Sequence, residues 1–334
     1  LNRCRHQGTP VCNVEAGNTS HFRCRYHGWT YDNEGKLTGV PHQDSAYGDG
    51  LPDEVDLEPV AQFDTYKGLI FANPDPDAES LDEFLGDFTW YMDFFTGTTE
   101  EGLYVTGPTR KVAPVNWKVG LLNVVGDTYH GPTTHRSGFE TNLIGPEDEQ
   151  FGDIEEYKVH IACGPAGLEL ARRPYVHGFS EETREAIRKS VTEDQWQVMA
   201  EEGWTPNNCG VFPNAVMVNL SMKADENEKV PITMVQLFYP RGPTETEVFS
   251  WIISEREEGR EHHEKAVKAA TFTFGSGGTF LQDDIDIWSR VTESGEGPGA
   301  GGDDRDMKLT MKLDEDHVEE DPDFPGPGRV YGVE

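Results

Sequence analysis

The sequence predicts an α+β protein in which a small all-β domain precedes a larger domain of antiparallel strands and helices. Strand and turn signals fill the region from Thr30 to about Asn73, and a Pro-Asp-Pro-Asp segment then breaks the pattern. Farther along, three long runs rich in Val, Ile, Phe and Thr are joined by connections short enough for antiparallel pairing. We therefore predict domains at residues 1–76 and 77–334.

The chain is strongly acidic. Its 334 residues include 28 Lys and Arg against 61 Asp and Glu, which gives a net charge of −33. Because nucleic acids and anionic membranes bind clustered cations, neither is an expected partner. The 35% hydrophobic and 10% aromatic content favours a packed core over disorder. We interpret the acidity as a halophilic surface, since roughly molar salt shortens the Debye length to about 3 Å.

Membrane and disulfide signals are missing from the sequence. There is no apolar run of about eighteen residues, the length that a membrane span needs. Five cysteines, an odd number, favour a reducing, cytoplasmic compartment over a disulfide framework. Cys12, Cys163 and Cys209 are expected to be small buried or half-buried residues. Because the chain opens on Leu1 and closes without a terminal element, we expect both natural ends to lie outside it.

Two Cys/His pairs in the first domain form a candidate metal site. Cys4-Arg-His6 is followed, after seventeen residues, by Cys24-Arg-Tyr-His27, and a glycine lies close to each pair. A zinc finger more often places its two cysteines together and its two histidines together. Mixed pairs suit a [2Fe–2S] cluster in which two thiolates bind one iron and two imidazoles bind the other, the Rieske arrangement. A structural zinc site or a chance spacing is the alternative.

Local signals predict the elements that surround the candidate sites. Ser80, with Glu83 three residues later, resembles the start of a helix, and Asn116 can cap another that ends at a turn permitted by Gly126. In the first predicted domain we expect a hairpin at 30–36 and a short buried strand at 66–72. A helix at 80–95, a strand at 102–112 and a second helix at 117–125 follow.

The second half of the chain alternates between strand and helix signals. We predict strands near 151–170 and then two short amphipathic helices within 180–200, the second with a capping box at Thr192–Gln195. Three long strands, at 210–222, 230–239 and 244–254, and a helix at 257–270 follow. A cavity between sheet and helices would be the substrate pocket. Arg172-Arg173 could hold an anionic substrate, although such a pair more often forms surface salt bridges. His262 and His263 point about 100° apart on a helix and are expected at the surface.

A second candidate metal site lies between Asn123 and His135. His130 and His135 fall within one short stretch, and two imidazoles with one carboxylate bind non-haem Fe(II) while leaving positions open. Gly131 and Pro132 argue against a continuous helix between the histidines, so a turn must bring the rings together. Two incidental histidines are the alternative.

Several carboxylates could supply the third ligand of this site. Asp127 lies inside the stretch itself, and a later helical pattern carries Asp283, Asp284 and Asp286. Asp284 lies next to the apolar face of that pattern, whereas its two neighbours are more easily solvated. On the pattern alone, an acidic amphipathic helix explains these residues equally well. Its apolar face consists of Phe280, Leu281, Ile285 and Trp288.

In combination, these motifs resemble the large (α) subunit of Rieske non-haem iron aromatic-ring-hydroxylating dioxygenases. Gln7 and Arg25 depart from the family pattern, in which Arg and Pro are common, but neither position is a ligand. Residues 240–251 and 323–328 are similar to further stretches of the family. The principal motifs are Cys4-x-His6-x17-Cys24-x2-His27, Asn123-x3-Asp127-x2-His130-x4-His135 and Gly278-Thr-Phe-Leu-Gln-Asp-Asp284.

The resemblance implies a role for individual residues. Asn123 and Asp127 would belong to the catalytic machinery, and Asp127 would connect the mononuclear iron to the Rieske cluster of a neighbouring subunit. The second domain would have the helix-grip fold. The implied ligands are Cys4, His6, Cys24 and His27 for the [2Fe–2S] cluster, and His130, His135 and Asp284 for the mononuclear Fe(II).

The resemblance also implies an activity and partners. Electrons from NAD(P)H would arrive through a ferredoxin or reductase, and both atoms of O2 would be added to an aromatic ring to give a cis-dihydrodiol. A homotrimer, or an α3β3 assembly with a small β subunit, is implied. A Rieske monooxygenase or demethylase would share every ligand, whereas an electron-transfer protein or a zinc-stabilised binding module would not need the second site.

Overall fold

The fold is taken from a computed structural model in which the chain divides into two compact units, Leu1–Leu81 and Asp82–Glu334. Within the described part of the chain, no helix combines the length and the apolar character needed to cross a membrane. The described residues are 1–14, 16–48, 50–96, 99–125, 127, 130–141, 158–164, 166–172, 179–201, 203–224, 228–296, 326–327 and 329–332.

The first unit is built from two small antiparallel sheets. One sheet has the order β1-β2-β3 and the other is a hairpin of β4 and β5, and a short helix, α1, lies between β3 and β4 in sequence. Trp29 and Tyr31 are buried in its core together with Cys4 and Cys24. The elements are β1 (His21–Arg23), β2 (Thr30–Asp32), β3 (Leu37–Gly39), α1 (Gln43–Tyr47), β4 (Gln62–Tyr66) and β5 (Leu69–Asn73).

The two strand predictions for this unit have different outcomes. The hairpin predicted at 30–36 is confirmed, because β2 pairs with β3 in antiparallel register. The buried strand predicted at 66–72 is confirmed as a strand only from Leu69, where β5 begins, and the predicted burial is wrong. Lys67 and Gly68 have φ values of 47° and 85° and form the turn between β4 and β5. Ile70 is 71% exposed, so apolar composition here marks an open hairpin face and not a core strand.

The second unit opens with two short helices, α2 (Leu81–Leu85) and α3 (Phe88–Met92), where the sequence predicted one helix to about Phe95. Gly86 lies between them with a φ of 46°. This left-handed conformation ends an α-helix and is accessible to glycine at little cost. Leu85 of α2 and Phe88, Tyr91 and Met92 of α3 are buried.

An eight-stranded antiparallel sheet with the order β13-β7-β8-β9-β10-β11-β12-β6 forms the framework of this unit. Every neighbouring pair is antiparallel, which confirms the predicted α+β class. The strands are β6 (Leu103–Ala113), β7 (Lys158–Cys163), β8 (Ala166–Arg172), β9 (Trp204–Val211), β10 (Ala215–Lys223), β11 (Lys229–Gly242), β12 (Glu245–Glu255) and β13 (Arg329–Gly332).

One of the three long strand predictions is wrong. The run predicted as a single strand at 210–222 contains the end of β9 and nearly all of β10, with a turn over residues 212–214. Proline at position 213 has no backbone N–H for a sheet hydrogen bond, which favours a break there. The strands predicted at 230–239 and 244–254 are confirmed by β11 and β12. Part of the strand-rich prediction, residues 151–157, falls outside the described residues.

Three helices pack on one face of the sheet: α4 (Trp117–Val124), α9 (Gly259–Phe274) and α10 (Thr279–Glu296). Asn116 accepts a hydrogen bond from the Lys118 backbone N–H at 3.0 Å, which confirms the predicted cap of α4. Small side chains let α9 approach β10 and β11 closely. The shared core contains Val218, Leu220, Ile232, Met234, Ala266, Ala269, Ala270 and Phe280.

Two glycines let α4 lie close to the sheet. A Cβ atom on Gly120 would come within 2.4 Å of the Phe238 ring, and one on Gly210 of β9 within 2.1 Å of Val125. Neither distance is compatible with van der Waals contact. Helix α4, which leads into the stretch Asn123–His135, is therefore fixed against the sheet by close contacts at Gly120 and Gly210 that leave no room for a Cβ atom.

The segment from residue 180 to 201 agrees with its prediction. Ser180 and Thr192 cap the helices α7 (Glu181–Ser190) and α8 (Glu193–Trp196), and a turn of π-helix follows. Thr192 and Gln195 exchange two hydrogen bonds, so the predicted capping box is confirmed. The Arg172-Arg173 prediction concerns side chains outside the described residues.

The prediction that His262 and His263 are surface histidines is wrong. His263, on α9, is 7% exposed, and its ring contacts the hydroxyls of Ser254 at 2.6 Å and Thr106 at 2.8 Å. His262 lies 3.5 Å from Glu258. Packing of α9 against β6 and β12 buries His263, and a helical pattern taken alone does not register that packing.

Candidate metal centres

The His130 stretch is helical where an interruption was expected. Helix α5 (Gly131–Thr134) begins directly after His130, with Pro132 in its first turn, and α6 (Arg136–Glu140) follows His135. The prediction that Gly131 and Pro132 exclude a helix is therefore wrong. The first backbone N–H groups of a helix have no partner within it, so proline is tolerated at this position.

Helix α10 presents one of its three aspartates to the protein interior. Its buried face includes Phe280, Leu281 and Trp288, and the side chain of Asp284, which borders that face, is only 9% exposed. Asp286 is 60% exposed and pairs with Arg290 at 2.9 Å. Burial therefore distinguishes Asp284 from its neighbours, as the helical pattern indicated.

Three side chains from α10 and the α5 segment converge on one point. The Nε2 atoms of His130 and His135 are 3.3 Å apart, and Asp284 Oδ1 lies 3.6 Å from the first and 3.2 Å from the second. One ligand atom from each residue lies within 4.8 Å of the others. The structure thus brings together the three residues that the resemblance implies as iron ligands.

The donor atoms at this point fit a divalent metal ion. Asp284 Oδ1 is buried and has no hydrogen-bond partner among the described residues. Buried polar atoms in native proteins nearly always have partners, so the orphaned carboxylate oxygen requires an explanation. A cation bound between two imidazole nitrogens and one carboxylate satisfies it, and this donor set is the one that non-haem Fe(II) uses.

Asp127 lies on the other side of the His130 ring. Its backbone carbonyl contacts His130 Nδ1, and its carboxylate lies 4.0 Å from the same nitrogen. The Asn123 side chain is 3.2 Å from His130 Nδ1 as well. The Asp127 carbonyl can accept a hydrogen bond from a proton on Nδ1, and this tautomer leaves the Nε2 lone pair directed at the convergence point. Asp127 is therefore not part of the convergent set.

His135 is held by aromatic packing and by two carboxylates. Its ring stacks on Phe280 with centroids 4.4 Å apart, and Phe280 in turn meets Phe274 edge to face. Burial lowers the pKa of His135, but Asp284 and Asp283 outweigh it and raise the pKa overall. Asp283 Oδ2 lies 3.5 Å from His135 Nδ1.

Two neighbours of the site were not found from the sequence. Ser137 donates a hydrogen bond to Asp283 at 3.0 Å, although the two residues are 146 positions apart in the sequence. Lys111, on β6, donates to the Phe274 carbonyl at 3.1 Å. Burial lowers the pKa of Lys111 to about 8, although Asp284 acts to raise it. No sequence signal marks either residue, because both depend on contacts between distant elements.

In the first unit, the two Cys/His pairs occupy two loops with matching hydrogen bonds. Gly8 N–H donates to the Cys4 carbonyl at 2.8 Å, and Gly28 N–H donates to the Cys24 carbonyl at 3.0 Å. Both glycines have φ values near the left-handed region, 79° and 74°. The expectation that a glycine shapes each loop is therefore confirmed, because both glycines adopt the same conformation and make the same hydrogen bond.

The four side chains of these loops lie together. Cys4 and Cys24 are buried and form no disulfide bond, and the rings of His6 and His27 have centroids 4.4 Å apart. His6 Nδ1 is buried without a hydrogen-bond partner among the described residues. Burial raises the pKa of Cys24, but backbone N–H groups in its loop lower it overall, which favours the thiolate. Two thiolates and two imidazoles fit a Rieske cluster.

Comparison with known protein families assigns both units. Residues 1–64 match the family described as the Rieske [2Fe-2S] domain, and residues 81–306 match the family described as the ring hydroxylating alpha subunit (catalytic domain).

Curated relatives match along nearly the whole chain. The chain is 31% identical to the benzene 1,2-dioxygenase subunit alpha of Pseudomonas putida, with 100% of this chain and 74% of that protein covered. It is 31% identical to the N,N-dimethyl phenylurea N-demethylase subunit alpha of a Sphingobium species, covering 99% and 73%. Among solved structures, naphthalene 1,2-dioxygenase from Rhodococcus sp., bound to indole, matches with a TM-score of 0.85 and 34% identity, covering 100% and 76%.

Proposed function

Because the chain belongs to the family of ring-hydroxylating α subunits, we propose that it is the terminal oxygenase that cis-dihydroxylates an aromatic ring compound with O2. It is an oxidoreductase with a Rieske [2Fe–2S] domain and a non-haem iron domain. The observation that carries the proposal is the convergence of His130, His135 and Asp284, since this donor set leaves coordination positions free for O2 beside a substrate.

We assign the cofactor ligands by position. Cys4, His6, Cys24 and His27 would hold the cluster, whose imidazole ligands raise its potential to roughly −150 to +300 mV. His130, His135 and Asp284 would hold the mononuclear iron, which activates O2 when it is bound. We propose a domain boundary near residue 76, a few residues before the point between Leu81 and Asp82 where the structure divides the chain into two compact units.

The surrounding residues orient the proposed ligands. Asn123 and the Asp127 carbonyl hold the Nδ1 side of His130, so its Nε2 faces the metal position. The Phe280 ring covers one face of His135. The Asp127 carboxylate is half-buried near His130, and we assign it as the connection to the Rieske cluster of a neighbouring subunit.

The partners follow from this assignment. A ferredoxin or reductase would pass electrons from NAD(P)H to the cluster one at a time. A connection between subunits requires an oligomer, and we propose a homotrimer or an α3β3 assembly. The relatives support an aromatic substrate, since two of the three proteins named above are a benzene and a naphthalene dioxygenase. We further propose that the net charge of −33 is an adaptation to high salt.

Oxidative demethylation is the second candidate function. The N-demethylase relative from Sphingobium is as similar to this chain as the benzene dioxygenase relative, at 31% identity each. Both reactions are served by the same metal ligands, so only the substrate pocket separates them.

Product analysis decides between the two functions. The purified protein is reconstituted with a ferredoxin, a reductase and NADH in high salt, and then given a panel of aromatic hydrocarbons and N-methyl phenylureas. A cis-dihydrodiol containing both atoms of labelled O2 supports the proposal. Release of formaldehyde without ring oxidation supports demethylation instead, and turnover of neither class contradicts both.

Substitution of Asp284 tests the ligand assignment. The wild-type protein should contain about three irons per chain, two in the cluster and one mononuclear. Asp284→Ala should retain two irons and the absorption spectrum of the cluster, while product formation falls below detection. Iron content by colorimetric assay and the visible spectrum measure these outcomes. Retention of the third iron would move the ligand to Asp283 or Asp286.

A further inference from the structure

The two nitrogens of His135 face two consecutive carboxylates. Nε2 lies 3.2 Å from Asp284 Oδ1, and Nδ1 lies 3.5 Å from Asp283 Oδ2. Successive residues of a helix point about 100° apart, so Asp283 and Asp284 can approach one imidazole from its opposite edges. Only the Asp284 edge faces His130 and the convergence point.

Asp283 is itself held in place. Ser137, two residues beyond His135, donates its hydroxyl to Asp283 Oδ2 at 3.0 Å. This is the same carboxylate oxygen that faces His135 Nδ1, so His135, Ser137 and Asp283 close a small ring between α6 and α10. Asp286, one turn along α10, makes no such contact and pairs with Arg290 at the surface.

His135 also requires an acceptor at this edge. Its Nδ1 is buried without a hydrogen-bond partner among the described residues, and its distance to Asp283 is at the outer limit of a hydrogen bond. An imidazole that binds a metal through Nε2 carries its proton on Nδ1, and donation of that proton to a carboxylate fixes the tautomer and the ring orientation. A shift of a few tenths of an ångström completes this contact.

We propose that Asp283 is a positioning residue for the mononuclear iron: held by Ser137, it accepts the Nδ1 proton of His135 and orients the ring toward the metal. The inference rests on the ligand set of the proposed function. The two histidines differ at this nitrogen: His130 Nδ1 contacts a backbone carbonyl and an amide, with the nearest carboxylate 4.0 Å away, whereas His135 Nδ1 faces a carboxylate at 3.5 Å.

The test measures metal affinity and not turnover. Full-length protein with its cluster intact is freed of mononuclear iron, and Fe(II) or Co(II) binding is then titrated against a competing chelator. Asp283→Asn should bind with 10- to 100-fold lower affinity, yet reach one mononuclear ion per chain at saturation. Its Co(II) absorption bands should shift, because the basicity of His135 changes. Asp286→Asn, the matched control on the same helix, should bind like the wild type.

Two further variants separate the possible outcomes. Ser137→Ala should weaken binding by a smaller factor than Asp283→Asn, and it serves as the test if Asp283→Asn does not fold with the wild-type melting temperature. Wild-type affinity and unchanged Co(II) bands in Asp283→Asn would overturn the inference. Loss of the saturating ion would make Asp283 a ligand and overturn it too. Metal binding that survives in Asp284→Ala would instead refute the ligand set of the proposed function.

Discussion

His263 illustrates how a single residue can set the response of the molecule to acid. Its ring is buried between the hydroxyls of Ser254 and Thr106. Burial lowers its pKa below the ordinary value of 6.5, and the nearby His262 and Arg260 lower it further, against Glu264. Because the unfolded chain then binds a proton more readily than the folded chain, the free energy of unfolding decreases as the pH falls below about 6.5.

We therefore expect two effects from His263→Leu. At pH 8 the variant should lose about 1–3 kcal/mol of stability, since two hydroxyls lose their partner. Between pH 6.5 and pH 5 its free energy of unfolding should fall less steeply than that of the wild type. Urea denaturation at several pH values measures both. Ser254→Ala, which keeps the imidazole, should lower stability but keep the wild-type slope, and equal slopes in His263→Leu and the wild type would contradict the explanation.

The residues of the metal site divide into those that local sequence predicts and those that it does not. Asp284 could be singled out because it borders an apolar helical face, and its burial agrees. Ser137, Asp283 and Lys111 act through contacts with partners as far as 146 and 163 positions away. Hydrophobic periodicity reports only on residues that are close in the sequence, so it cannot predict contacts between distant elements. A family resemblance identifies only the residues that belong to its motifs.

At the level of elements, the seating of α4 depends on Gly120. Alanine at this position should favour the helix by about 1 kcal/mol. Its Cβ would nevertheless lie 2.4 Å from the Phe238 ring, which is buried against Trp288 and cannot move freely. Gly120→Ala should therefore lower the free energy of unfolding by at least about 1 kcal/mol, as overpacking usually does.

Gly295 provides the matched control for this substitution. It lies in the exposed last turn of α10, and a Cβ there would meet nothing within 4 Å. Gly295→Ala should stabilise the protein by up to about 1 kcal/mol. Thermal and urea unfolding of the two variants measure the difference. If both substitutions stabilise the protein equally, α4 does not lie against β11 as described.

Element boundaries were predictable where a local side chain determines them. The caps at Asn116 and Thr192 satisfy backbone groups within three residues, so the sequence contains the whole interaction. Breaks were less predictable. Gly86 divides a predicted helix, Pro132 fits inside one that was not expected, and the turn after Val211 divides a predicted strand. In each case either conformation is locally allowed, and tertiary packing selects one.

At the scale of the whole molecule, charge dominates. The net charge of −33 means that the excess carboxylates repel one another in dilute buffer, and salt screens that repulsion. Raising KCl from 0.1 M to 2 M should increase the melting temperature by about 5 °C or more, which corresponds to roughly 2 kcal/mol. Differential scanning calorimetry measures the shift. Sorbitol at equal osmolality is the control, and an equal shift in sorbitol would contradict an electrostatic origin.

The arrangement of the ligand triad has a consequence for stability as well as for chemistry. His130 and His135 flank α5, and Asp284 comes from α10 about 150 residues later in the chain. An unfolded chain rarely brings these residues together, so a metal ion held by the proposed triad would bind the folded unit and stabilise it. At a free Fe(II) concentration of 100 times Kd the gain is about 2.7 kcal/mol.

Removal of the mononuclear iron should therefore lower the melting temperature of the catalytic unit by several degrees, and Fe(II) should restore it. Calorimetry measures this transition, while the visible absorption of the cluster reports separately on the first unit. Asp284→Ala should melt at one temperature with or without Fe(II), and a metal-dependent shift in that variant would contradict the assignment. An ion bound by the proposed triad would in this sense be a removable cross-link between α10 and the segment around α5.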